Sequence, residues 1–115
     1  HYLIQKYGGF KLPNYDIAPL LLSNVSKELI FNSSLLTLKN MGLEITYENI
    51  EEGTIEAVEK SFWYGFKDDL IIRIEELISS NILINARSAS RVGRSDFGKN
   101  SKRIKSYFIL LKSEL

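Results

Sequence analysis

Apolar and polar positions alternate most regularly between Leu43 and Ser90. In Leu43–Asn49, Leu43, Ile45 and Tyr47 point one way and Glu44, Thr46 and Glu48 the other, the period-two pattern of a half-buried strand. Glu51-Glu52-Gly53 makes a turn. Thr54–Lys60 follows as a second strand, with Ile55 and Ala57 on one face and Glu56 on the other, so the pair is expected to form a hairpin. Ser61–Phe66 is aromatic-rich, contains Gly65, and extends or bulges this strand. A third strand, Asp69–Glu76, turns Leu70, Ile72 and Ile74 inward. After a turn at Ser79-Ser80-Asn81, a fourth strand, Ile82–Ser90, turns Ile82, Ile84 and Ala86 inward.

Helical signals flank this block. Leu20–Val25 reads as a short strand, Ser26 as an N-cap, and Gly42 as the residue that ends a helix running to about Met41. The apolar side of that helix is expected at Leu29, Ile30, Leu35 and Leu36, interrupted by Asn32 and Ser33. A last helix, from about Gly98 to Lys112, brings Ile104, Tyr107, Phe108, Leu111 and Leu115 to one face and Lys99, Lys102, Lys105 and Lys112 to the other. Residues 1–19 hold the breakers Gly8-Gly9, Pro13-Asn14 and Pro19 among scattered tyrosines, and read as an irregular arm or linker. Residues 20–115 are expected to form a single domain. The order β-α-β-β-β-β-α predicts an α+β fold of two layers: an antiparallel sheet of four to five strands with helices packed on one face. Strands joined by short turns are expected to be meandering neighbours.

Composition narrows the chemistry. The 115 residues are 44% apolar and 25% charged, ordinary for a globular fold. The absence of cysteine excludes disulfides, thiolate catalysis and cysteine-held metals. The single histidine is His1, so a histidine-based triad or zinc cage is not expected. No metal and no cofactor are expected. No apolar run approaches the ~20 residues that span a bilayer. The chain opens on His1 without a methionine, and an anchoring segment upstream is expected.

The net charge of +1 conceals an asymmetry. Residues 1–86 carry 7 basic and 12 acidic side chains, whereas residues 87–115 carry 8 basic and 2 acidic. Four of the five arginines, Arg87, Arg91, Arg94 and Arg103, lie in the second part, within RSASRVGRSDFGKNSKR. Arginine forks, hydroxyls and a helix N-terminus capped by Ser95 or Asp96 together make a chemically sensible anion site. Its candidate residues are Arg87, Ser88, Arg91, Arg94, Asp96, Asn100 and Arg103. The competing reading is internal. Strand phasing puts Arg87 on the face shared by Arg73 and Glu56, and Asp68 and Asp69 lie nearby, so these groups are candidate partners in a cross-strand ion network. The sequence leaves both open.

Other chemistries fare worse. Asp68 and Asp69, adjacent on a strand, point to opposite faces and do not share an ion easily. Ser88, Ser90 and Ser95 have no histidine base, and Lys99 is the only substitute. Trp63, Tyr64 and Phe66 suit stacking, although aromatics at a sheet edge more often join a core. Nucleic acid is not expected as a partner. The pI of about 8.1 is low for that role, and the ten acids between Glu44 and Glu76 would repel a phosphate backbone.

Several blocks resemble the domain of unknown function 1499 family, bacterial and plastid. They are Tyr15-Asp16-Ile17-Ala18-Pro19-Leu20, Met41-Gly42, Ile55-Glu56-Ala57, Trp63-Tyr64-Gly65-Phe66-Lys67-Asp68-Asp69 with Arg73, and above all Arg87 through Asn100 with Arg103-Ile104. The resemblance runs from about Tyr15 to the end. It carries no established activity. It implies hydrophobic segments upstream and a membrane-tethered or extracytoplasmic location, and it marks Glu56, Phe66, Asp68, Asp69, Arg73, Arg87, Arg91, Gly93, Asp96, Gly98, Asn100 and Arg103 as family-typical. The cysteine that some members carry near the start is missing here.

The expectation that follows is an accessory domain without enzymatic activity, contacting a protein or an anionic group through the arginine-rich segment 87–103. The alternative is a domain that binds a small anionic ligand or acts on it, with the same arginines clamping a phosphate or carboxylate.

Overall fold

A computed structural model describes residues 17–60, 67–90 and 97–115. Five strands and two helices follow in the order β1 (Leu20–Ser23), α1 (Lys27–Asn40), β2 (Glu44–Asn49), β3 (Thr54–Lys60), β4 (Lys67–Glu76), β5 (Asn81–Ser90) and α2 (Phe97–Glu114). The sheet order is β1-β5-β4-β3-β2, every pairing antiparallel. Strands β2 to β5 form the expected meander. β1 joins the far edge beside β5, so α1 carries the chain from one edge of the sheet to the other. This is the two-layer α+β architecture expected from the order of elements. The N-terminal arm and the Ser61–Phe66 extension expected from the sequence lie, apart from Ile17 to Pro19, outside the described residues.

Local chemistry explains the boundaries. The Ser26 hydroxyl accepts the Leu29 N–H at 3.0 Å and starts α1. At its end, Gly42 adopts φ +86°, the Gly42 N–H donates to the Lys39 carbonyl, and the Leu43 N–H reaches back to Leu38. This pattern closes a helix on a left-handed residue and turns the chain into β2.

The helix face of the sheet carries the core. Ile55, Ala57, Leu70, Ile72, Ile74, Ile82, Ile84 and Ala86 pack against Ile30, Phe31 and Leu38 of α1 and Ile104, Tyr107 and Leu111 of α2. Each such large apolar side chain contributes about 1.5–3 kcal/mol on burial. Three expectations need correction. In α1 the buried stripe is Ile30, Phe31, Ser34, Thr37 and Leu38, while Leu29 and Leu36 are each about half exposed, at 49% and 48%. Two polar residues in the stripe hide its period. In β2 the register jumps from Ile45 opposite Ala57 to Tyr47 opposite Glu56. Thr46 is the extra residue of this bulge, and its hydroxyl donates to the Glu56 carbonyl at 3.2 Å. Tyr47 therefore shares a row with Glu56 rather than with the core, contrary to the simple alternation. At the end of α2, Leu115 is 40% exposed and does not extend the apolar face.

One of the two polar residues in the α1 stripe, Ser34, has a partner. The Ser34 and Tyr107 hydroxyls lie 2.7 Å apart, both buried, and tie α1 to α2. Replacing Tyr107 by phenylalanine leaves the Ser34 hydroxyl buried and unbonded, with an expected cost of about 1–2 kcal/mol by urea denaturation. Adding Ser34→Ala to that variant should recover part of the loss; equal stability of the single variant and the parent would contradict the pairing.

Candidate functional site

Strand parity brings polar side chains into the core face at one end of the sheet. On β3 the inward set Ile55 and Ala57 continues to Glu59. On β4 the set Leu70, Ile72 and Ile74 begins with Asp68, and on β5 the set Ile82, Ile84 and Ala86 ends with Ser88 and Ser90. Register aligns them: Glu59 pairs Asp68, Asp68 pairs Ser90, and Leu70 pairs Ser88. The first turns of α2 lie against this end and supply Lys99, Asn100 and Arg103, at helical spacing on the flank of its apolar stripe.

Arg103 is the hub. Its Nη2 donates to Glu59 Oε1 at 2.5 Å and to Asp68 Oδ2 at 2.8 Å. Its Nη1 donates to Ser88 Oγ at 2.8 Å and to Asn100 Oδ1 at 2.5 Å. The Ser88 hydroxyl donates to the same Asn100 oxygen at 2.7 Å. Lys99 Nζ stands 3.2 Å from Asp68 Oδ2. Two carboxylates thus face two cations. The Arg103 and Asp68 side chains are almost fully buried, at 5% and 8% exposure, while Glu59 and Lys99 reach solvent. A guanidinium fork suits this geometry, because its coplanar donors reach partners on three strands and on its own helix together.

Burial pushes the Asp68 carboxyl upward, but hydrogen bonds from Ser90 and Lys99 and the charge and hydrogen bond of Arg103 outweigh it, so the group sits below its usual range. A carboxylate depressed by folding stabilises the fold above its unfolded pKa, and that contribution is lost as pH falls through the folded value. Asp68→Asn is therefore expected to destabilise the protein clearly near neutral pH. Its deficit should shrink as pH drops below the ordinary aspartate value of 3.8. A deficit that stays constant down to acid unfolding would contradict the assignment.

The opposite face of the sheet holds a second polar group. Glu56, Ile71 and Arg87 form one cross-strand row, with Val58, Asp69 and Ala89 in the next. Glu56, Asp69, Ile71 and Val58 are buried, although both helices pack on the other face. Arg87 Nη1 donates to the Ala86 carbonyl at 2.9 Å. Arg73 is exposed on this face, opposite Asn85.

The structure thus brings together four of the residues picked from the sequence, Ser88, Asn100, Arg103 and Asp68. It places Arg87, Glu56, Asp69 and Arg73 across the sheet from them. Asp68 and Asp69 point to opposite faces. Arg91, Arg94 and Asp96 lie outside the described residues. The sequence reading passed over Glu59, whose signal was its parity with Ile55 and Ala57. Among the described residues no helix is long and apolar enough to cross a membrane.

No curated protein matches the chain. A chain in the crystal structure of the adenylate sensor from AMP-activated protein kinase, in complex with 5-aminoimidazole-4-carboxamide 1-beta-D-ribofuranotide, is similar in fold. It has a TM-score of 0.66 and 12% identity over 87% of this chain and 99% of that one. A likeness at that identity concerns the fold alone. The model of a family described as "Protein of unknown function (DUF1499)" matches residues 5–111, and the chain belongs to that family.

Proposed function

We propose that the chain is an accessory domain without enzymatic activity, which contacts another protein or an anionic group through the connection between β5 and α2. Topology supports this reading. β3 ends at Lys60, β4 begins at Lys67, β5 ends at Ser90 and α2 begins at Phe97, so the aromatic connection 61–66 and the arginine-bearing connection 91–96 leave the same end of the sheet. The observation that carries the proposal is the Arg103 network. It joins β3, β4, β5 and α2 at the base of both connections and consumes Ser88, Asn100, Arg103 and Asp68 internally. Those side chains hold the frame, and recognition falls to the connection they support, the usual division between scaffold and loop.

The test separates the two roles. Arg91→Ala combined with Arg94→Ala is expected to leave the melting temperature within ~2 °C of the parent, while abolishing capture of the partner in a pull-down. A partner retained by that double variant would overturn the assignment.

A further inference from the structure

The positive excess of residues 87–115 is distributed differently from the arginine count. Arg103 and Lys99 are matched by Glu59 and Asp68. Lys102, Lys105 and Lys112 are exposed and form no ion pair with a described residue. At 100° per residue these three fall on one stripe of α2, with Ile109 in its middle and Ser106 and Ser113 beside it. The one acid of the helix, Glu114, points to the other side. Ile109 is 65% exposed, an aliphatic side chain one turn from Lys105 and Lys112 on the same stripe.

We infer that the outward face of α2, Lys102, Lys105, Ile109 and Lys112, docks on the surface of an anionic lipid bilayer. Residue chemistry selects this occupant. Protein interfaces are depleted in lysine and rely on arginine and aromatic anchors, none of which stand on this stripe. Lysines on flexible stems respond to charge density rather than to shape. An aliphatic side chain among them enters the boundary between headgroups and acyl chains while the lysine stems reach past it to the phosphates. Binding of this kind is peripheral and reversible. Each lysine contributes about a fivefold gain in partitioning, attenuated by salt. The inference does not rest on the β5–α2 connection.

The test is co-sedimentation of the whole chain with vesicles of phosphatidylcholine, alone or mixed with phosphatidylserine, at low and at physiological salt. The protein is expected to bind the mixed vesicles only and to be released by added salt. Lys102→Glu with Lys105→Glu should reduce partitioning at least twentyfold, roughly two lysines' worth before repulsion is counted, and Ile109→Ser should weaken it several-fold. Circular dichroism checks that these exposed substitutions leave the fold intact. Binding lost in Arg91→Ala/Arg94→Ala but kept in the lysine variant would assign the contact to the connection and overturn this inference. So would equal binding to both vesicle types, no binding to either, or binding to polyglutamate without binding to vesicles.

Discussion

Replacement of Arg103 by alanine is expected to destabilise the protein by about 3–5 kcal/mol, among the largest single effects in the chain. The guanidinium is buried and satisfies four acceptors, Glu59, Asp68, Ser88 and Asn100. Its removal leaves Asp68 buried beside a lone ammonium, that of Lys99, which is half in solvent. The cost is that of stranding a buried carboxylate and two buried polar groups; it does not measure the net worth of the ion pair against an apolar core. Arg103→Lys should lose nearly as much, because one compact ammonium cannot reach all four acceptors at once. In thermal unfolding, either variant should melt at least ~10 °C below the parent. A midpoint within ~2 °C would mean that the carboxylates are solvated and the network is a surface decoration.

Gly53→Ala should cost about 3 kcal/mol, for reasons unconnected with charge. Gly53 closes the β2–β3 turn with φ +70° and is buried against β4. Its carbonyl accepts the Ile74 N–H at 2.7 Å. An added Cβ would lie 2.0 Å from the Ile74 carbonyl oxygen, a backbone atom in the middle of the sheet that has nowhere to go. The left-handed conformation costs a residue with a side chain about 1–2 kcal/mol, and separating the two strands adds the loss of the hydrogen bond. Gly42 supplies the control. Its φ is +86°, but nothing lies within 4 Å of an added Cβ, so Gly42→Ala should cost only about 1 kcal/mol. Equal losses at the two glycines in urea denaturation would refute the steric account.

Much of the fold was legible because period two is hard to imitate. Leu70, Ile72 and Ile74, with Ile82, Ile84 and Ala86, name the core face of two strands without reference to anything else. The caps Ser26 and Gly42 mark α1 by backbone chemistry alone. Three features stayed hidden. The buried face of α1 includes Ser34 and Thr37, and only the distant Tyr107 shows why a serine belongs there. The β2 bulge leaves the alternation of Leu43 to Glu48 undisturbed while shifting Tyr47 to the other face. The position of β1 beside β5 is a property of the crossover, and four residues of an edge strand carry no mark of which edge they join.

The candidate site was legible in its components and not in its assembly. Arg103 was counted with the arginines of the preceding segment, although Asn100, Arg103, Ile104, Tyr107 and Leu111 continue one helical stripe into the core. Glu59 and Asp68 occupy inward positions of their strands, and a charged residue at core parity near a strand end signals a buried partner. Charge counting recorded an excess but not which cations were already matched. Arg103 and Lys99 are matched, and Lys102, Lys105 and Lys112 are not paired with any described residue.

Arg103 is held inside the protein by Asp68, and a double-mutant cycle between the two measures their coupling. Stability would be measured by urea denaturation for the parent, Arg103→Met, Asp68→Asn and the double variant. A buried, hydrogen-bonded pair predicts that the second substitution costs far less once the first is made, with a coupling energy above ~1.5 kcal/mol. Losses that add to within ~0.5 kcal/mol would show that the two side chains do not act on each other and that Asp68 does not hold Arg103.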